Sequence, residues 1–325
     1  MKTRDLVALA GLVLLAACGS NEEQELVDSG AGSNPDAGSD PDANGGTNGA
    51  HEFVYSELTA DGRPIRYLLD ANDEGQMVGS VPSTTSSAEL DGFVLDADGT
   101  AEFWSTPDFL AYPTAINNAG RVVGTNIPVG GGLPEGFERD AEGNETPFNF
   151  PDALGTVPFG VSDDDTVSGF YITENGRRGF VTQASTELSR TVEYPGAAET
   201  QLYGINDEGQ AGGAYYDDNG AAFPFIYDIA TEDFETIDPP AAGNFVVSNI
   251  NNDGDAIVFG MRDAAEEYAD LRSFFRDGQT GVMTELFYPG AAETYAYAID
   301  NDGVIIGYYL DEDGDYGGFR AELVR

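Results

Sequence analysis

One phrase recurs six times along the chain: Asn72-Asp73-Glu74-Gly75, Asn117-Asn118-Ala119-Gly120, Ser162-Asp163-Asp164-Asp165, Asn206-Asp207-Glu208-Gly209, Asn251-Asn252-Asp253-Gly254 and Asp300-Asn301-Asp302-Gly303. Its fourth position falls at 75, 120, 165, 209, 254 and 303, giving separations of 45, 45, 44, 45 and 49 residues. A period of roughly 40–50 residues with strand-like content predicts propeller blades, units that bury their apolar faces only against one another. Short apolar or aromatic runs flank each phrase, such as Gln201–Ile205 before it and Arg121–Gly124 or Val304–Tyr309 after it. Two such runs joined by an Asn/Asp-Gly turn make a hairpin. A third strand opens on Gly92-Phe93, Gly136-Phe137, Gly179-Phe180, Phe223-Pro224-Phe225, Ser273-Phe274 and Gly318-Phe319, and a fourth runs through segments such as Glu102–Trp104 and Thr191–Tyr194. No segment carries a sustained 3.6-residue apolar period, so the folded part is expected to be all-β with almost no helix.

Four strands in six copies predict a six-bladed β-propeller of antiparallel blades over residues 52–325. The ends agree with closure. One strand, Glu52–Leu58, precedes the first phrase, and only two follow the last, ending in Gly318–Val324. Pairing the spare N-terminal strand with the last blade completes the ring and covers edges that otherwise template aggregation.

The residues before the repeats belong to targeting. Lys2 and Arg4 precede an apolar run, Leu6–Ala17, too short to span a bilayer, which takes about 20 residues. The run ends in Leu15-Ala16-Ala17-Cys18, which resembles the lipobox of bacterial lipoproteins. That resemblance implies removal of residues 1–17 and lipid attachment at Cys18. It implies a membrane-anchored head at the cell envelope, and Gly19 in place of an Asp points to the outer membrane or cell surface. An ordinary secretory signal with an incidental Cys is the alternative. Residues 18–51 are rich in Gly, Ser, Asn, Asp and Pro, with Leu26 and Val27 the only large apolar side chains. Such a segment buries too little apolar area to offset its ordering entropy. It reads as an acidic tether with an r.m.s. reach of roughly 30 Å.

Charge and composition exclude several functions. The chain has 58 Asp+Glu against 14 Lys+Arg, a formal net charge of −44. Such a surface repels phosphate backbones, so no nucleic-acid partner is expected. Loss of residues 1–17 removes Lys2, Arg4 and Asp5, leaving 57 acids, 12 bases and no lysine. One Cys forbids an intramolecular disulfide, and one His removes His-rich metal sites and most Ser–His or Cys–His catalytic arrangements.

The segments VEYPGAAETQLYGINDEGQAGGAYYDDNG (192–220) and LFYPGAAETYAYAIDNDGVIIGYYLDEDG (286–314) resemble the HAF-repeat family of bacterial extracellular repeat proteins. Those proteins repeat PGA-x-x-T, G-I-N-x-x-G, V-V-G-x-Y and G-F-L-Y phrases. The likeness runs over nearly all of 52–325 and is sharpest in the last three repeats. The His of the family's His-Ala-Phe or His-Gly-Phe phrase is absent from every copy, with Gly, Pro or Ser in its place, so no role of that His is carried over. The resemblance implies an extracellular propeller-like fold and no particular reaction.

In a four-stranded blade the connections alternate between two faces. The repeated Asn/Asp turns share one face with turns such as Asp96–Gly99. The other carries the Tyr-Pro-Gly-Ala links and the loops that vary most, Val81–Asp91, Asn126–Glu135 and Arg262–Arg272. Function concentrates on loops held by a rigid scaffold, so the variable-loop face and its channel mouth are the expected binding surface. Candidate ligand contacts there are Arg177, Arg178, Glu199, Tyr216, Asp217 and Glu293, for an extracellular protein or a glycan. Asp311, Asp313 and Asp315 alternate like ligands of a Ca²⁺ loop, as do Asn249, Asn251 and Asp253. The first set lacks Gly at its sixth place and the second has Gly260 at its twelfth, and Asp and Asn are also ordinary turn residues. Trp104 and Tyr112, Tyr194, Tyr203, Tyr288, Tyr295 and Tyr297 read as strand packing, with sugar platforms as the alternative.

The sequence therefore predicts a binding or interaction module. A carbohydrate-active hydrolase using channel carboxylates and a purely structural envelope protein stand as alternatives. The acid excess fits a salty environment, in which screening relieves self-repulsion. Thermal melting of the head should accordingly rise between very low salt and about 1 M NaCl, where the Debye length falls to about 3 Å; a flat or falling melting temperature would refute this.

Overall fold

Alternating apolar runs and tight Asx-Gly turns give a chain that folds back on itself every few residues, and the computed structural model consists of antiparallel hairpins throughout. It describes residues 51–84, 90–186, 188–262 and 270–324. Cys18 and the tether up to residue 50 lie outside them. A three-residue 3₁₀ turn, Ala184–Thr186, is the one helical element among the described residues.

The strands form six sheets arranged as the blades of a propeller. Blade 1 runs Tyr67–Ala71, Met77–Pro82, Leu90–Leu95 and Ala101–Trp104, and blade 2 runs Phe109–Ile116, Val122–Pro128, Glu135–Arg139 and Glu145–Pro147. Blades 3, 4 and 5 follow the same order, their first strands being Gly155–Val161, Glu199–Ile205 and Gly243–Ile250. Blade 6 takes Ala291–Ile299, Ile305–Asp311 and Tyr316–Leu323 from the C-terminus and its fourth strand, Phe53–Ala60, from the N-terminus. Phe53 pairs with Leu323 and Leu58 with Gly318, antiparallel. The ring is closed by the spare strand, as the count of strands predicts.

The first strand of each blade is innermost, next to the first strands of its two neighbours. Each carries a register slip shortly before its repeat turn, for example between Leu68 and Asp70 and between Pro113 and Ala115. Five of the second strands answer it with glycine. A Cβ on Gly79, Gly124, Gly169, Gly213 or Gly307 would lie 2.0–2.5 Å from a carbonyl oxygen of the innermost strand. Blade 5 has Val258 at the equivalent place, opposite Val247.

The core consists of wedges between blades. Val78 of blade 1 packs with Ile116, Val122 and Phe137 of blade 2. Ala115 and Val123 of blade 2 meet Val161, Val167 and Phe180 of blade 3. At the closing seams, Ile257, Phe275 and Leu286 of blade 5 pack against Ile299, Ile305 and Phe319 of blade 6, with Phe53 and Tyr55 alongside. Leu68 and Phe93 of blade 1 pack against Ala298 and Ile306 of blade 6. Each fully buried Phe or Leu contributes about 1.5–3 kcal/mol, so every seam holds only while both blades are present.

Deleting residues 51–60 should bare the edge of Tyr316–Leu323, lower the melting temperature by about 10 °C or more and produce oligomers on size-exclusion chromatography with light scattering. A monomer with unchanged melting would show that the closing strand is dispensable.

Candidate functional site

The six repeat turns converge on the axis of the ring, and their chemistry follows from one shortage. A tight turn leaves backbone N–H groups unpaired, and in a ring the nearest acceptor belongs to the next blade. The second residue of each phrase supplies it. Asp73 N–H donates to Asn118 Oδ1, Asn118 N–H to Asp163 Oδ1, and Asp163 N–H to Asp207 Oδ1, each at 2.8 Å. Asp207 N–H donates to Asn252 Oδ1 and Asn252 N–H to Asn301 Oδ1, both at 2.8 Å, and Asn301 N–H returns to Asp73 Oδ1 at 3.0 Å. The circuit is closed, and every bond runs in the same sense.

The first residues of the phrase form a second, deeper tier. Asn72, Asn117, Asn206 and Asn251 each donate a side-chain N–H to the carbonyl of the first residue of the next repeat, at 2.9–3.1 Å. Ser162 and Asp300 occupy the other two places and have no amide to donate.

Inside these tiers lies a recess of about 460 Å³, open to solvent and lined by the turns together with Asp70, Gly160 and Asn249. Asp70 is the buried carboxyl of its wall. Its oxygens accept from Ile116 N–H of blade 2 at 2.9 Å and from Asn249 Nδ2 of blade 5 at 3.4 Å. Burial outweighs these bonds and pushes the Asp70 carboxyl up to about 7. Burial likewise raises Asp300 to about 6, against the hydrogen bond from Val304 N–H. Asp73 goes the other way: burial pushes it up, but hydrogen bonds from Asn118 and Asn301 hold it below the usual carboxylate range.

At the rim, oxygens of Asp73, Asp163 and Asp207 come within 4.8 Å of one another. An all-oxygen set of this kind suits a hard divalent cation. The same carboxylates also accept the ring's hydrogen bonds, including those from the side-chain amides of Asn118, Asn252 and Asn301. Asp311, Asp313 and Asp315 are not gathered in this way. Asp311 Oδ1 accepts from the N–H groups of Asp313 and Asp315 at 3.0 and 2.8 Å, the bonding of an ordinary Asx turn. Asn251 Oδ1 does the same for Asp253 and Asp255.

The candidate ligand contacts lie on blades 3, 4 and 6, at the variable-loop end. Arg177 and Glu199 face each other at 3.8 Å, and Glu199 also accepts from Arg177 N–H. Arg178 pairs with Glu193 and donates to the carbonyls of Arg177 and Ala198. Tyr216 is buried, its hydroxyl 3.2 Å from that of Tyr203. Asp217 is engaged by the N–H groups of Asn219 and Ala221, and Glu293 accepts from the Tyr295 hydroxyl. Tyr112, Tyr203, Tyr295 and Tyr297 are buried, Tyr194 stacks on Tyr215 and Tyr288 on Tyr309, and Trp104 lies under Arg139, all in the strand packing. His51 docks on blade 5 through Asp277 and Thr284.

Sequence reasoning located the repeat turns but not their mutual bonding, because partners 45 residues apart are joined only once the ring forms. The signal was present in the second position of the phrase, which holds Asp or Asn in all six copies.

No protein-family model matches the chain, and no curated protein matches it. Solved structures do. TolB from Acinetobacter baumannii aligns with a TM-score of 0.51 at 13% identity, over 82% of this chain and 65% of that one. A TolB-like protein from Agrobacterium tumefaciens aligns with a TM-score of 0.55 at 12% identity, over 85% of this chain and 100% of that one. This chain is thus similar to TolB-type propellers in fold.

Asp70 and Asp300 carry raised values in the fold, so the stability they contribute is present below their unfolded value near 4 and lost as pH rises through about 6–7. Asp70→Asn keeps an oxygen for Ile116 N–H and should flatten the decline in stability between pH 5 and 8, by on the order of 3 kcal/mol at the upper end. Urea denaturation across that range tests this, and an unchanged pH slope refutes it.

Proposed function

We propose that the protein is a lipid-anchored binding module of the cell surface, whose propeller head engages an extracellular protein or glycan through its variable-loop face. The supporting observation is a division of labour between the two ends of the ring. At one end every repeat turn belongs to a closed hydrogen-bond circuit. At the other end the connections between second and third strands range from two residues (Glu174-Asn175) to seven (83–89 and 263–269). A fixed face and a variable face are what a scaffold carrying a recognition surface requires.

The anchor is supported by Leu15-Ala16-Ala17-Cys18, and the tether by the polar composition that follows. The HAF-repeat likeness supports an extracellular setting. No observation favours a second reading. The residues lining the recess include no aromatic side chain.

The test uses the full chain carrying Cys18→Ser on an array of glycans and secreted proteins. A variant in which 129–134 is replaced by the two-residue Glu174-Asn175 turn, and an Asn118→Ala variant, run alongside. Binding should fall at least about tenfold in the loop variant and persist in Asn118→Ala. Loss in Asn118→Ala alone would move function to the recess. In cells, Cys18→Ser should release the protein from the membrane fraction.

A further inference from the structure

In a head this acidic, arginines find carboxylates easily. Each of the nine other arginines with described side chains has one within 4.0 Å. Arg66 has none. It immediately precedes the innermost strand of blade 1, and its backbone N–H is fixed on Ser80 O at 2.9 Å. Its guanidinium lies 3.9 Å from the centre of the Tyr316 ring and 5.7 Å from that of Tyr67, with Nε donating to the Tyr67 hydroxyl at 3.5 Å. Its two terminal nitrogens meet no acceptor among the described residues, and they are not among the buried polar atoms left without a partner, so they reach solvent.

The location is the variable-loop end of the seam between blades 6 and 1. Tyr316 opens the third strand of blade 6, directly after the Asp311–Asp315 turn. Tyr67 anchors the spot from below, packing on Tyr112 of blade 2 and Tyr308 of blade 6. The aromatic faces hold the guanidinium in place and strip part of its hydration, while its fork of N–H donors stays open. A fork of that shape matches a carboxylate with two parallel hydrogen bonds. Around it lie phenol rings and hydroxyls, not an apolar pocket. They offer hydrogen bonds and ring contacts, the interactions a sugar presents beside its acid group.

We propose that Arg66, seated on Tyr316 and Tyr67, is the contact for the carboxylate of a uronic-acid residue in an acidic polysaccharide. This rests on the binding reading above and names its ligand class. The head's overall negative field opposes the approach of a polyanion, but salt screens that field within about 8 Å at physiological strength. A contact pair at a half-buried guanidinium is screened much less.

The probe is a galacturonic-acid trimer titrated into the full Cys18→Ser chain by calorimetry in about 0.5 M NaCl. Neutral galactose trimer, a sulfated galactose trimer and a short peptide with a free C-terminal carboxylate form the other arms. The uronate should bind best and the neutral trimer not at all. Arg66→Lys, which keeps the charge and loses the fork, should weaken the uronate at least about tenfold. Should that variant melt differently, the native protein gives an independent readout: the uronate trimer should protect Arg66 from phenylglyoxal, as read by mass spectrometry. Equal binding by Arg66→Lys, equal binding of the neutral trimer, no uronate binding up to about 20 mM, or no protection overturns the proposal. Preference for the sulfate or the peptide overturns the uronate assignment. None of these outcomes touches the loop-replacement result, so failure here is separable from failure of the binding reading.

Discussion

Everything in this head depends on the ring being closed, and closure is a matter of satisfying polar groups as well as packing apolar ones. Each repeat turn presents an N–H that its own hairpin cannot use, and the Asx side chain of the next blade accepts it. Such a circuit has no free end only if the last turn reaches the first, as Asn301 does with Asp73. An incomplete ring would leave one donor and one acceptor unpaired at the axis and bare an apolar wedge at the seam. The circuit lies at the exposed mouth, where water can take the place of a lost partner, so the bared seam is the larger cost. Closure should therefore be cooperative, with Phe53–Ala60 as the strand that decides it.

The same architecture explains what could be read from the sequence. Period and strand content are local, so blade number, strand order and the closing strand were legible from the phrase positions. The V-V-G glycines were visible as a pattern, but their reason is a carbonyl of the innermost strand lying where a Cβ would be. The functional geometry was less legible. Asp70 looks like any strand acid until Ile116 from the neighbouring blade 2 and Asn249 from blade 5, across the axis, meet it. Arg66 looks like any surface arginine until the other cations are seen to be paired. Arg177, Arg178 and Glu199 drew notice as charges at a variable end, yet the fold pairs them with one another and with Glu193.

The two ends of the ring are under different constraints. Around the axial mouth, three aspartates and three asparagines share six places, so amides separate most of the carboxylates. Asn118 bridges Asp73 and Asp163 with one side-chain amide, and Asn301 bonds Asp73 from the other side. Asp163 and Asp207 are adjacent without an amide between them. There the turn N–H of Asp163 donates to Asp207 and compensates part of the repulsion. Insertion into any of these turns would break the circuit. Among the described residues the opposite connections make no comparable ring, and they can lengthen at little cost, since loop-closure entropy grows slowly with length.

The few cations are distributed in a way that bears on the acid excess. Arg121 of blade 2 reaches Asp165 of blade 3, Arg139 of blade 2 reaches Glu102 of blade 1, and Arg276 of blade 5 reaches Glu235 of blade 4. Arg190 of blade 3 donates to Ile229 O in blade 4 and pairs with Glu232. These arginines bridge seams where acidic strands from two blades would otherwise face each other. Exposed pairs of this kind contribute at most about 1 kcal/mol each. Their larger effect is local neutralisation at the interfaces that hold the ring together, which leaves the outward surfaces to carry the net charge. Screening relieves the long-range repulsion among the head's acids before it weakens these contact pairs, whose arginines are partly buried and whose carboxylates are exposed. A ring bridged in this way is therefore expected to tolerate salt.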